Sequence, residues 1–474
     1  MRAPLIRRTP SNDLHRKQRG VTLALVAGSM VAIISMAALS IDVGTFYQAK
    51  AEAQRNADAA ALTGARVISL SGITGDPTNS AGSWQAACGG SSSTATVAAT
   101  AIANVQWNFV SGVVPPTVSV TYGSGANANT DCTALTGSTQ NTFSVNPTVN
   151  VTITSTTLPI FFSRIFSLFG SNYGGATVSA SATAEVYNPS GSGALSMGMV
   201  PVQPRCVKPW ILPNLDPDHT NPDHTNQPFI NLPGGTINGT IYNPGIWEVN
   251  GGVIGETINM AAACSFFSGP NNCFLFGPPV AGQYIPALVS GNASAVPSCA
   301  PSPPSYQSAI AGCDQTTVYA CGTQRAAQAD LTENPNYPSA TTGDTATAVA
   351  CLTQSQPEYS GSDTLQQLVY PFQIDAGQGN PLVAAGVVNT GDQISGSNSI
   401  VSLPIYDNTA PLIGRQPQVT VVGFLQVFIN GMDPLTGKLS LTVMNVSGCG
   451  NAVTAGSPAI NGTSPVPVRL ITPP

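Results

Sequence analysis

No charged side chain occurs from Val21 to Ile41. The arm before this run holds Arg2, Arg7, Arg8, Arg16, Lys17 and Arg19 against the single acid Asp13. As an α-helix, 21 residues extend roughly 30 Å, the thickness of a bilayer's hydrocarbon core. The segment is therefore expected to cross a membrane, with its basic flank in the cytoplasm and everything beyond Asp42 outside. A buried helix of a soluble core and a cleaved signal peptide are the competing readings. Signal h-regions run about 7–15 residues. The helical pattern here passes unbroken through Ser35-Met36-Ala37-Ala38, the stretch a signal peptidase would use.

Within the span, Ala24, Gly28 and Ala32 recur every four residues. Small-xxx-small spacing lets membrane helices approach closely. Past the span, Ala49, Ala53, Ala57, Ala61 and Ala65 keep the same step. Alanine is the strongest helix former, and no proline interrupts Val21 to Val67. One continuous helix is expected, its first half in the membrane and its second half a spine. The spine's alanine track winds by about 40° per step, and another helix or a sheet can pack on it.

Beyond the spine, Ser93–Val110 has apolar residues at helical spacing. Thr117–Gly123, Pro147–Ser155 and Ala176–Tyr187 alternate as strands do. Leu158–Gly170 reads as a short apolar helix, too short to span a membrane. From Asn188 to about Ser395 the chain reads as loops, with Arg325–Leu331 a short helix candidate. Strands return at Ile400–Asp407, Gln418–Gly431 and Lys438–Gly448, the last two as a hairpin, and the closing "VPVRLITPP" suits an edge strand. The expected fold is α+β. A long transmembrane and spine helix packs on an antiparallel sheet, and a β-rich, loop-rich, cysteine-containing region follows. The expected division is a cytoplasmic arm (1–19), a transmembrane helix (20–41), an α+β unit (42–190) and a β-rich extracytoplasmic region (191–474).

All 10 cysteines lie beyond the span, where an oxidising compartment permits disulfides. The short loops Cys264–Cys273 and Cys313–Cys321 are plausible pairs, but sequence leaves the pairing open. Asp, Glu, Lys and Arg make up only 8% of the chain, against about 25% in ordinary soluble domains. The net charge of −6 argues against a nucleic-acid partner, which needs a basic stripe.

Arg19-Gly20, the span, and then "IDVGTFYQAKAEAQRNADAAALTGARV" resemble the N-terminal region of TadG-like proteins of the TadE/TadG Flp pilus-assembly family. The matching positions are Asp42, Gly44, Tyr47, Gln54, Asp58, Ala59, Ala60, Ala61, Leu62, Gly64 and Ala65. A looser likeness extends over Val149–Val186. The resemblance implies a pilin-like α+β unit on a single-pass anchor in the bacterial inner membrane. The bulk of the chain is then periplasmic, and the partners are other Tad/Flp pilus-assembly membrane proteins. The fifth residue after Gly20 is Leu25, where prepilin-type relatives carry Glu, and this favours a retained anchor. Some relatives carry a von Willebrand A metal site of the form Asp-x-Ser-x-Ser. The nearest string here, Asn188-Pro189-Ser190-Gly191-Ser192, lacks the acid.

Chemistry-bearing patterns are few. The tandem "PDHTNPDHTN" (Pro217–Asn226) puts two His near Asp216, Asp218 and Asp223, a set that suits a divalent metal; a slipped duplication in a surface loop is the plainer reading. No Gly-x-Ser-x-Gly elbow sits between strand and helix, and there is no phosphate-binding glycine loop. Trp210, Tyr242, Trp247, Tyr284 and Tyr306 could bind sugar or pack a core. The expectation is a non-enzymatic protein without cofactor, metal or small-molecule substrate. It would work by helix packing and docking, and a surface-binding protein or adhesin is the alternative.

Overall fold

The computed structural model describes residues 13–71, 87–105, 116–124, 132, 147–158, 176–188, 202–217, 226–232, 235–238, 252–263, 279–289, 305–314, 316–317, 319–322, 324–326, 343–355, 361–367, 372–412, 417–432, 438–449, 460–462 and 464–471. Contacts divide the chain into two units. The first is Met1–Ala57, Ala103–Val118 and Thr152–Ala180; the second is Asp58–Ile102, Ser119–Val151 and Ser181–Pro474.

Helix α1 runs from Asp13 to Ser69 without a break. It begins inside the basic arm, ahead of the charge-free span. At 1.5 Å per residue its 57 residues extend about 85 Å. Helix α2 (Thr94–Val105) occupies the expected second helical segment.

A four-stranded sheet has the order β1 (Thr117–Ser124), β2 (Pro147–Leu158), β3 (Ala176–Val186) and β18 (Val468–Ile471). Period-2 alternation builds it. Val149, Val151 and Ile153 of β2 are buried, as are Val178, Ala180 and Ala184 of β3. The polar residues between them pair across the strands, with Asn150 Nδ2 donating to Thr183 Oγ1 at 2.7 Å. Strand β18 pairs antiparallel with β3, and Arg469 of β18 meets the fully buried Glu185 of β3 at 2.9 Å. The closing segment is thus an edge strand, as its pattern suggested.

The second unit also contains a closed ring of strands. Its members are β5 (Trp210–Pro213), β8 (Thr257–Ala262), β9 (Gln283–Pro286), β14 (Ile400–Tyr406), β15 (Gln418–Met432) and β16 (Leu439–Gly448). The pairing order is β15-β14-β5-β9-β8-β16, and β16 pairs back onto β15. Closure leaves none of the six with a free edge. Strand β10 (Gln324–Ala326) pairs with β15 outside the ring, and the remaining strands form small sheets: β4 (Val202–Pro204) with β17 (Ile460–Gly462), β6 (Ile230–Asn231) with β7 (Thr236–Ile237), and β11 (Thr364–Gln366), β12 (Gln373–Asp375) and β13 (Gln393–Ile394) in that order. Leu403, Ile405, Leu425, Val427, Leu441 and Val443 share one buried cluster with Trp210 and Tyr284. The alternate residues Phe424 and Phe428 enter two separate clusters on the other face.

Several expectations are corrected. The region read as loops supplies β5, β8 and β9, together with helices α3 (Ser305–Ala311) and α4 (Asp344–Leu352). These strands are four to six residues long, too short for a clear period, and proline ends two of them. The start of the Arg325–Leu331 helix candidate is strand β10, because Arg325 and Ala326 find backbone partners on β15. Cys313 pairs with Cys206, and Cys321 with Cys449, so the short Cys313–Cys321 loop does not form. A third bridge joins Cys88 and Cys132. Trp210, Tyr284 and Tyr306 are core residues, and both tyrosine hydroxyls meet Thr345 Oγ1. Residues 106–110 and 159–170, the Cys264–Cys273 pair, Tyr242 and Trp247 lie outside the described residues.

Candidate functional site

Helix α1 changes character near Ala49. From Val21 to Tyr47 its large apolar side chains are exposed on every side, Leu23 at 76% and Ile34 at 63% among them. Among the described residues it is the one helix long and apolar enough to cross a membrane. The bare stretch runs past Ile41 and ends on Phe46 and Tyr47, both exposed. Aromatic residues of this kind settle at the level of lipid headgroups.

The three small residues of the span lie in this bare stretch. Ala24, Gly28 and Ala32 are exposed, and a Cβ built on Gly28 would meet nothing within 4 Å. The same holds at Gly44, while Asp42 is half-buried.

Beyond Ala49 the picture reverses. Ala49, Ala53, Ala57, Ala60, Ala61 and Ala65 are all fully buried. In the first unit, Lys50 Nζ donates to the Ser179 carbonyl of β3. In the second, Gly64 lets the helix close onto β2 and α2. A Cβ there would stand 3.1 Å from Val149 Cγ1, 3.3 Å from Ala99 Cβ and 3.4 Å from the Ala95 carbonyl. Gln54, Asp58, Ala59 and Leu62 are half-buried beside this track. Two polar residues, Glu52 and Asn56, are buried with the alanines one turn apart, and their i, i+4 spacing sets them on one face of the helix.

The end of the helix is fixed from far along the chain. Asn445 Nδ2 of β16 donates to the Ser69 carbonyl at 2.9 Å, an orphan acceptor of the last helical turn. Leu70 packs with Phe428, Met444 and Ile374.

Most residues of the two metal candidates are not among those described. Among the described residues no group of three or more His, Cys, Asp and Glu is placed to hold an ion. Asn188 donates to the Val446 carbonyl, and residues 189–192 and 218–225 lie outside the described residues.

No curated protein and no solved structure matches this chain. Its N-terminal helix does match a known family: residues 20–67 fit the model of the Flp pilus-assembly TadE/G-like (Tad) family. The matched segment covers both the bare and the buried half of α1.

Proposed function

We propose that this chain is a membrane-anchored, non-enzymatic component of Flp-type pilus or secretion assembly. Residues 1–19 lie in the cytoplasm, residues 20–41 cross the bacterial inner membrane once, and the regions 42–190 and 191–474 lie in the periplasm. The observation that carries this reading is a family-matched helix, apolar and bare in one half and packed in the other. Burying bare apolar surface in lipid is strongly favourable, at about 25 cal/mol per Å2.

The alanine track from Ala49 onward is taken up by the chain itself. Partner contact therefore falls to two other surfaces. Ala24, Gly28 and Ala32 let another membrane helix approach closely, and the periplasmic units dock onto neighbouring assembly proteins.

The test is deletion and complementation in the host, with surface Flp pilin as the readout and photo-crosslinking from position 28 in membranes. Deletion should abolish surface pilin, and the full chain should restore it. Gly28→Leu combined with Ala24→Leu should weaken complementation, and position 28 should crosslink to another Tad membrane protein. Normal surface pilin after deletion would overturn the reading. If adhesion alone were then lost, a surface-binding role would replace it.

A further inference from the structure

A cavity of about 330 Å3 opens in the second unit, within the range of small-molecule sites. Arg66 and Lys208 both line it, and among the described residues no Asp or Glu does. These cations come from distant parts of the chain, the last turn of α1 and the segment leading into β5.

Each cation has donors to spare. Lys208 is almost fully buried, and its ammonium donates to the carbonyls of Ile310 at 2.7 Å and Gly312 at 2.8 Å. That uses two of its three N–H groups. The Arg66 guanidinium has no hydrogen-bond or ion-pair partner among the described residues. Burial lowers the proton affinity of both groups, as expected of cations held away from water without a counter-ion.

One acid stands behind the wall. Ser397 lines the cavity and donates to Asp363 Oδ2. Asp363 is spent on Gly377 N and Asn380 Nδ2. Its role is to hold that loop, and it pairs with neither cation.

A third polar group points to the rest of the ligand. Gln426 lines the cavity and is 2% exposed. Its Nε2 donates to Ser464 Oγ at 2.9 Å, which leaves Oε1 without a donor. A buried acceptor left unpaired is costly, and a ligand hydroxyl would supply the missing donor. The remaining wall is mixed, with Leu352 and Val401 apolar and Asn398 polar.

We propose that this cavity binds a small hydroxylated anion, a sugar acid or sugar phosphate. Arg66 and Lys208 meet its charge, and Gln426 accepts from one of its hydroxyls. The site adds a small-molecule ligand to a chain expected to have none, and it does not depend on the pilus-assembly reading.

The test uses the full chain in a polyoxyethylene detergent, which carries no sugar. Calorimetric titration with glucuronate, glucose 6-phosphate, inorganic phosphate and neutral glucose is run at fixed ionic strength. At least one of the two sugar anions should bind, and glucose should not. Arg66→Gln removes a cation that no described residue pairs with, so the fold should survive. It should weaken binding at least about tenfold. Lys438→Gln, the same charge change at an exposed position, should leave binding as in the wild type. Absence of binding by both sugar anions would overturn the proposal, and so would wild-type affinity in Arg66→Gln. Binding of inorganic phosphate alone would overturn the assignment to a hydroxylated ligand.

Discussion

Replacing Gly64 by alanine sets two known effects against each other. In an exposed helix the change gains about 1 kcal/mol of propensity. At Gly64 the new methyl would lie 3.1 Å from Val149 Cγ1 and 3.3 Å from Ala99 Cβ, closer than the 3.5–4.0 Å of ordinary carbon contacts. Neither neighbour yields easily. Val149 is fully buried and β-branched, so its rotamer is stiff, and Ala99 moves only if α2 moves with it. Overpacking of this kind costs about 1–3 kcal/mol, so the net loss should be about 1 kcal/mol. The control is Gly44→Ala on the same helix, where nothing lies within 4 Å and the propensity gain stands alone. Amide hydrogen exchange on the full chain in detergent reads each site locally. Gly64→Ala should speed exchange about fivefold in residues 60–68 and 94–100. Gly44→Ala should slow exchange around its own position. Unchanged or slower exchange at 60–68 in Gly64→Ala would refute the claim that this glycine is a contact point.

Lys208 predicts a pH dependence of stability. Burial pushes its pKa down to about 7, whereas the unfolded chain keeps that proton to about 10.4. Between these values the unfolded state binds more protons, so stability should rise with pH by up to about 1.4 kcal/mol per unit. Urea midpoints from pH 6 to 9 should show that rise above 7, and Lys208→Met should flatten it. Breaking the Cys321–Cys449 bridge, whose ends are 128 residues apart, should cost roughly 2–5 kcal/mol, read as a lower urea midpoint for the double Cys→Ser variant. Arg469→Met strands the fully buried Glu185 carboxylate and should cost about 3–5 kcal/mol. Arg469→Met with Glu185→Leu should recover most of that loss, and a cycle of thermal unfolding curves on the two single variants and the pair checks it.

Long, strongly periodic elements were legible, and elements made by distant partners were not. Helix α1, the alternating strands β1, β2 and β3, and the hairpin of β15 and β16 each carry their own pattern in the chain. Strands β5, β8 and β9 are strands because β14 and β16 are present to pair with them. Nothing within four residues of proline-flanked "WILP" specifies that. The alanine track was legible as a packing surface, but its occupant was not. Small side chains state that something approaches closely, and only the fold brings Val149 and Ala99 to Gly64. The cavity was the least legible feature. Arg66 and Lys208 are isolated cations 142 positions apart in the sequence, and no motif joins them.

The pairing of β3 with β18 also governs the order in which this protein becomes itself. Glu185 waits for Arg469, 284 residues downstream. At roughly 5–20 residues per second a ribosome needs on the order of 15–60 s to supply it. Throughout that interval the outer rim of β3 is an unsatisfied template, open to any strand that passes, including another nascent copy. A chain released early would keep the rim open for good. Strand β18 therefore closes an edge of β3 that every shorter chain leaves open.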